Sequence, residues 1–185
     1  MKSRINPWEN LLALKIWKTK SQYFIWLRGA LRKIWQDNPL RKEWKNSQLR
    51  PITKEEKESG NFHSSTKKIG QCYLCEKWMA GSKLECDHKE ESEGCYDFET
   101  AESFLWHCAA DNPDNWALAC KPCHKIKSYA IRQGITFKGA KAEKTAILLC
   151  KEKRDKEWLE ERGVTPAGNT TKRREQIVQV LSGEV

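Results

Sequence analysis

No run of apolar residues in this 185-residue chain approaches the roughly 20 needed to cross a bilayer. The opening stretch, Met1 to Trp8, carries Lys2, Arg4 and Pro7 and lacks the apolar core of a secretory signal. A cytosolic protein with no membrane partner is therefore expected. Apolar side chains are scarce throughout, at 38% hydrophobic against 32% charged, where an average domain has about 25% charged residues. Two large cores are not expected from length and composition together, and something besides burial is expected to help hold the fold. Disulfides are not expected in a reducing compartment, so the eight cysteines read as metal ligands or plain thiols.

The formal charge of +9 is confined to one segment. Residues 1–50 hold twelve Lys and Arg against Glu9, Asp37 and Glu43, while the rest of the chain holds 22 of each sign. Such a pattern fits an arm or helical face that meets a polyanion. Within it, Gln22 to Trp35 sets Tyr23, Leu27, Ala30, Leu31 and Ile34 on one helical face and Arg28, Arg32 and Lys33 on others. Asn38 and Pro39 then stop that helix and start a second, which runs to about Gln48 and ends before Pro51. Trp8, Trp17, Trp26, Trp35 and Trp44 recur every nine residues, but this period leaves a helix about half a turn out of phase and makes no stripe.

Residues 51–69 have the polarity of a linker, which divides the basic helical segment 1–50 from a central segment, 70–132. Residues 133–185 form a C-terminal helical extension. There, Ala140 to Arg162 reads as one charged helix closed by Gly163, and Lys172 to Leu181 as a short helix with Ile177, Val178 and Leu181 inward.

The central segment holds two Cys-x-x-Cys pairs, Cys72 with Cys75 and Cys120 with Cys123. This spacing lets two thiolates on a tight turn meet one tetrahedral Zn²⁺, and four thiolates complete its shell, so the ion would be structural. The 44 residues between Cys75 and Cys120 exceed the separation in a compact finger, so the ion clamps the base of an insertion. Cys86, Cys95, Cys108 and Cys150 lack paired spacing and read as small hydrophobes.

Inside the insertion, Lys83 to His88 is strand-like and ends on an acid and an imidazole, Asp87 and His88. Asn115 to Ala119 is a second short run that feeds the second cysteine pair. Pro122 suits the first turn of a helix from Lys121 to Arg132, with His124 directly after Cys123. Two strands and a helix clamped by zinc would bring Asp87, His88 and His124 together.

The order Cys-x-x-Cys, Asp-His, Asn, then Cys-x-x-Cys-His-x-x-Lys, from Cys72 to Lys127, resembles the cysteine-stapled HNH endonucleases of the ββα-metal fold, particularly those of tailed bacteriophages. Leu27 to Leu49 and Gly139 to Leu181 resemble phage HNH proteins more loosely. The resemblance implies an α+β protein: a ββα-metal HNH core on a four-cysteine zinc site, with N-terminal and C-terminal helical extensions. It implies a divalent-metal-dependent hydrolase of DNA phosphodiester bonds, leaving 5′-phosphate and 3′-hydroxyl ends, in the cytoplasm of a phage-infected bacterium. By matching position, His88 would be the general base, Asp87 and His124 the ligands of a catalytic Mg²⁺, Mn²⁺ or Ni²⁺, and Asn115 the brace of the loop that orients His88. An imidazole with an ordinary pKa near 6.5 can take a proton from water near neutral pH.

Two features depart from the family pattern. Lys89, Glu90 and Glu91 follow His88 where many relatives have an apolar residue, and Lys89 to Asp114 holds eight acids against one lysine. The acidic insert is expected to point away from a DNA cleft or to gate it.

Lys127, which the motif includes, and Lys121 and Lys125 fall on the helix after the second pair, whose N-terminus also favours phosphate. Arg28, Arg32, Lys33, Arg41 and Lys42 form a second expected surface for double-stranded DNA, acting through counterion release. Phage packaging or replication proteins are further expected partners. The same residues admit a rival, a non-catalytic zinc module that binds DNA as a regulator or packaging accessory, and a third reading as a cysteine-based redox protein. Asp87, His88 and His124 discriminate, because a pure binder does not require them.

Overall fold

The computed structural model describes residues 5–10, 15–110 and 112–183. The rest of the basic segment, residues 1–4 and 11–14, and Asp111 of the acidic insert lie outside the described residues. In chain order the elements are α1 (Lys20–Asp37), α2 (Pro39–Ser47), β1 (Arg50–Pro51), α3 (Lys54–Glu58), β2 (Lys68–Gln71), β3 (Trp78–Ala80), β4 (Leu84–His88), α4 (Phe98–Ala109), β5 (Trp116–Cys120), α5 (Lys121–Gln133), α6 (Phe137–Lys151), α7 (Asp155–Glu160) and α8 (Thr170–Ser182). This is a mixed α+β protein with small sheets. Among the described residues no helix is long and apolar enough to cross a membrane. By its contacts the chain separates into two compact units, Met1–Ala119 and Cys120–Val185.

The first unit holds both sheets and the helices up to α4. Thr19 caps α1 by accepting from the Gln22 amide, and Asn38 caps α2 by accepting from Leu40 and Arg41, with Pro39 in the first turn where its missing N–H costs nothing. The buried stripe of α1 centres on Phe24, flanked by Tyr23, Leu27, Leu31 and Trp35. Ala30 and Ile34, expected on that stripe, are exposed. Aromatic packing sets the rotation: the Phe24 ring lies 5.6 Å from Trp8 and 5.3 Å from Phe98, and a buried aromatic outweighs an alanine in apolar area.

The opposite wall of this core is α4, with Ala101, Phe104 and Cys108, joined by Cys95 from the preceding loop. Its start is fixed by a capping box in which Asp97 and Thr100 satisfy each other's amides. Burial raises the thiols of Cys95 and Cys108, the latter to about 11, in keeping with their packing as small hydrophobes. The acidic composition of this insert conceals the helix. Its acids fall on the exposed side and mask a 12-residue amphipathic pattern.

The stretch expected as a linker, residues 51–69, contains α3 and the adjoining ends of β1 and β2. Arg50 and Pro51 pair antiparallel with Ile69 and Lys68, and Thr53 with Glu56 forms the capping box of α3. Arg50 grips the Glu56 carboxylate through both guanidinium nitrogens, at 2.9 and 2.6 Å, which holds that carboxyl down at about 2. Strand β2 continues into β3 as a hairpin, with Ile69 opposite Ala80 and Gln71 opposite Trp78. At Gly70 a Cβ would stand 2.7 Å from Leu49, 2.8 Å from Leu118 and 2.9 Å from Leu84, so only glycine lets the three leucines close over β2. Strands β4 and β5 form the second sheet. Lys45 of α2 donates to the Leu84 carbonyl at 2.6 Å, and Trp116 of β5 meets Trp35 and Trp44 at 5.3 and 5.8 Å. The basic helices are thus part of the same compact unit as the strands.

The second unit is helical. The single helix expected over Ala140 to Arg162 is two, α6 and α7, because Lys153 turns left-handed at φ 58° and the Arg154 amide reaches back to the Leu149 carbonyl. The break lets Asp155 face α8, where its carboxylate accepts from Arg173 Nε at 2.6 Å in a nearly buried ion pair. Ala146, Leu149, Leu159 and Ile177 form the core, with Val178 and Leu181 partly buried beside it.

Candidate metal centre and nucleic-acid site

The first cysteine pair lies in the loop of the β2–β3 hairpin. The Cys72 amide donates to the Lys77 carbonyl, the Glu76 amide returns to the Cys72 carbonyl at 2.8 Å, and Glu76 takes the left-handed conformation at φ 58°. The Tyr73 amide donates to the Leu118 carbonyl at 2.9 Å, which sets this loop beside β5. The second pair comes from the end of β5, where Cys120 caps α5 in extended conformation, and from Cys123 in the first turn of that helix.

The four Sγ atoms of Cys72, Cys75, Cys120 and Cys123 all lie within 4.8 Å of one another. A tetrahedral zinc with bonds of about 2.3 Å sets its sulfurs about 3.8 Å apart, so these side chains could hold such an ion with small adjustments. Three of the four cysteines are buried and Cys75 is half-buried. Cys86 stands apart from this set in β4, and burial pushes its thiol up to about 11.

Asp87 and His88 close β4, both buried, at 5% and 7% exposure. The Tyr73 hydroxyl donates to Asp87 Oδ2 at 3.3 Å. Asn115 sits across the turn that follows. Its Oδ1 accepts from the Glu90 amide at 2.8 Å, its Nδ2 donates to the Glu90 carbonyl at 3.3 Å, and its own carbonyl accepts from the Lys89 amide at 2.6 Å. The backbone after His88 is therefore held by Asn115, whatever the side chains of Lys89 and Glu90. The structure brings Asp87, His88 and Asn115 together at one end of the β4–β5 sheet. His124 is half-buried in the first turn of α5, directly after Cys123.

The surroundings of His88 hold what sequence reasoning misses. Trp35 of α1 stacks against its imidazole with ring centroids 4.0 Å apart, and His107 of α4 lies against it at 3.7 Å. The acidic insert thus delivers His107 to His88. No local motif signals His107 or Trp35, which sit 19 residues after and 53 before His88 in the chain. Tyr73 is equally hidden, as an unremarkable residue between two cysteines.

Of the expected DNA contacts, Arg28, Arg32, Lys33, Lys42, Lys121 and Lys125 are exposed. Arg41 is half-buried, with its guanidinium 4.9 Å from the Trp35 ring centre. Lys127 departs from expectation: it is only 7% exposed, because its position on α5 falls on the face that buries Cys123 and Ala130. A side chain so placed is not offered to a phosphate at the surface. Comparisons with protein-family models, with curated proteins and with solved structures found no match.

Proposed function

We propose that the chain is a metal-dependent HNH endonuclease of double-stranded DNA, phage-encoded and acting in homing, genome processing or packaging, with the four cysteines holding a structural zinc. The observation that carries this reading is the pairing of Asp87 and His88 at the end of β4 with an Asn115 side chain that closes the next turn by two hydrogen bonds to Glu90. A merely structural strand end has no need of an acid, an imidazole and a bracing amide in that order. His88 would take the proton of the attacking water, a role worth roughly 10²–10⁴-fold in rate. Asp87, oriented by Tyr73, and His124 are the residues that would hold a divalent cation such as Mg²⁺, Mn²⁺ or Ni²⁺. That ion would neutralise charge on the attacked phosphate and the departing 3′ oxygen. Exposed Arg28, Arg32, Lys33, Lys121 and Lys125 would supply affinity for the DNA backbone without reading its sequence.

Plasmid cleavage across a Mg²⁺ and Mn²⁺ titration tests the roles. His88→Ala should lose most cleavage at every metal concentration while zinc content and DNA binding stay near wild type. His124→Ala should recover part of its activity as the metal rises. Full activity in both variants refutes the nuclease reading, and rescue of His88→Ala alone reverses the two roles.

One observation favours a second reading, a non-catalytic zinc-containing DNA-binding regulator or packaging accessory: His88 is buried, with a ring against each of two neighbours. On that reading the imidazole is a packing group, and the wild-type protein binds DNA without cutting it at any divalent metal concentration.

A further inference from the structure

The two rings against His88 come from distant parts of the chain and share no element with the cysteine cluster. Trp35 ends α1 on its buried stripe, and His107 lies in the last turn of α4. Their ring planes are inclined to the imidazole by 34° and 35°, so both are tilted stacks. We infer that Trp35 and His107 are positioning residues that clamp the imidazole of His88, an inference that rests on the nuclease reading above. A lone histidine at a strand end can swing about its side-chain torsions. Aromatic neighbours at 3.7 and 4.0 Å remove that freedom and fix the direction in which the ring nitrogens point.

The clamp is a fixed wall rather than a lid. Its two helices are joined through the core of Phe24, Ala101, Phe104 and Cys108, all buried, and swinging α4 aside would return these side chains to water. His107 itself is half-buried, between exposed Trp106 and buried Cys108. The ring alone is required of it. A phenyl group can stack as an imidazole does but can neither carry a proton nor bind a metal.

The test uses the full-length, zinc-loaded protein with three variants, H107A, H107F and H88A, in plasmid cleavage at saturating and limiting DNA. Removing one wall should lower kcat by about ten- to a hundredfold in H107A, the scale of a small misplacement of a reacting group, with KM near wild type. H107F should restore most of the lost kcat. Proton NMR of the His88 ring gives a readout independent of turnover, since loss of a stacked neighbour moves those resonances in H107A and a phenyl neighbour keeps them shielded. Wild-type kcat in H107A, or a gain of activity, overturns the clamp, the latter showing that α4 obstructs the site. Equal loss in H107F and H107A also overturns it, because His107 would then act through its nitrogens. Full activity in H88A sinks the nuclease reading, and the clamp with it, whereas an inactive H88A beside a fully active H107A sinks the clamp alone.

Discussion

Removing one sulfur from the four-cysteine cluster should unfold the strands around it. Cys72 leads the loop of a hairpin with three paired positions, Ile69 to Ala80, Gly70 to Met79 and Gln71 to Trp78, and sheets this small are marginal in water by themselves. The largest fully buried aliphatic side chains beneath them are Ile69 and Leu84. Complete burial is worth about 1.5–3 kcal/mol for each, or about 3–6 kcal/mol together. A structural zinc contributes roughly 10–16 kcal/mol of apparent binding free energy at neutral pH, so the ion would outweigh the apolar burial it sits beside. Cys72→Ser or Cys120→Ser should therefore lower zinc content below one per chain and collapse the near-ultraviolet circular dichroism of the tryptophans, Trp116 of β5 among them. Chelation of the wild type should do the same, reversibly on adding zinc back. Metal analysis paired with spectra at matched concentration provides the measurement. A chelated wild type that keeps its zinc-bound spectrum and melting temperature would refute the reasoning, because burial alone would then suffice.

Deleting residues 1–50 would strip Phe24 and Trp35 from their core, so the basic surface is better tested by the triple substitution Arg28→Ala, Arg32→Ala, Lys33→Ala, all at exposed positions. If these side chains meet phosphates, the slope of log affinity against log salt should shrink by about 0.9 for each phosphate no longer neutralised; an unchanged slope places the DNA elsewhere. Gly70→Ala should cost about 1–3 kcal/mol, measured by denaturant unfolding, because its Cβ would meet three leucines at under 3 Å; a neutral result would mean that they shift freely. Burial alone would raise Asp155, but the hydrogen bond from Arg173 helps hold its pKa below the ordinary carboxylate value. That contribution to stability is complete above the unfolded pKa of about 3.9 and is lost as pH falls through the folded one. Arg173→Met should move acid unfolding of the second unit to higher pH, as followed by far-ultraviolet circular dichroism, and an unmoved acid midpoint would count against the pair's role.

What the chain determined by itself was local. The cysteine pairs are legible because a two-residue gap on a tight turn is a property of the backbone, although the meeting of the two pairs, 44 residues apart in the chain, is a tertiary outcome. Strands β4 and β5 and helix α5 begin and end within a residue or two of the limits read from Asp87, His88, Asn115 and Pro122, since each rests on a turn residue or a short apolar run. Tertiary contacts decided the rest. Phe24 rather than Ile34 faces inward because Trp8, Phe98 and Phe104 come from elsewhere in the chain to receive it. The helix expected from Ala140 to Arg162 breaks at Lys153, where Asp155 gains a buried partner 18 residues away in Arg173. Lys127 turns inward although the motif suggested a surface role. The burial of His88 against Trp35 and His107 belongs to the same class: no spacing rule joins three rings from α1, β4 and α4, and only the packing of those elements could set one ring 4.0 Å and another 3.7 Å from the imidazole.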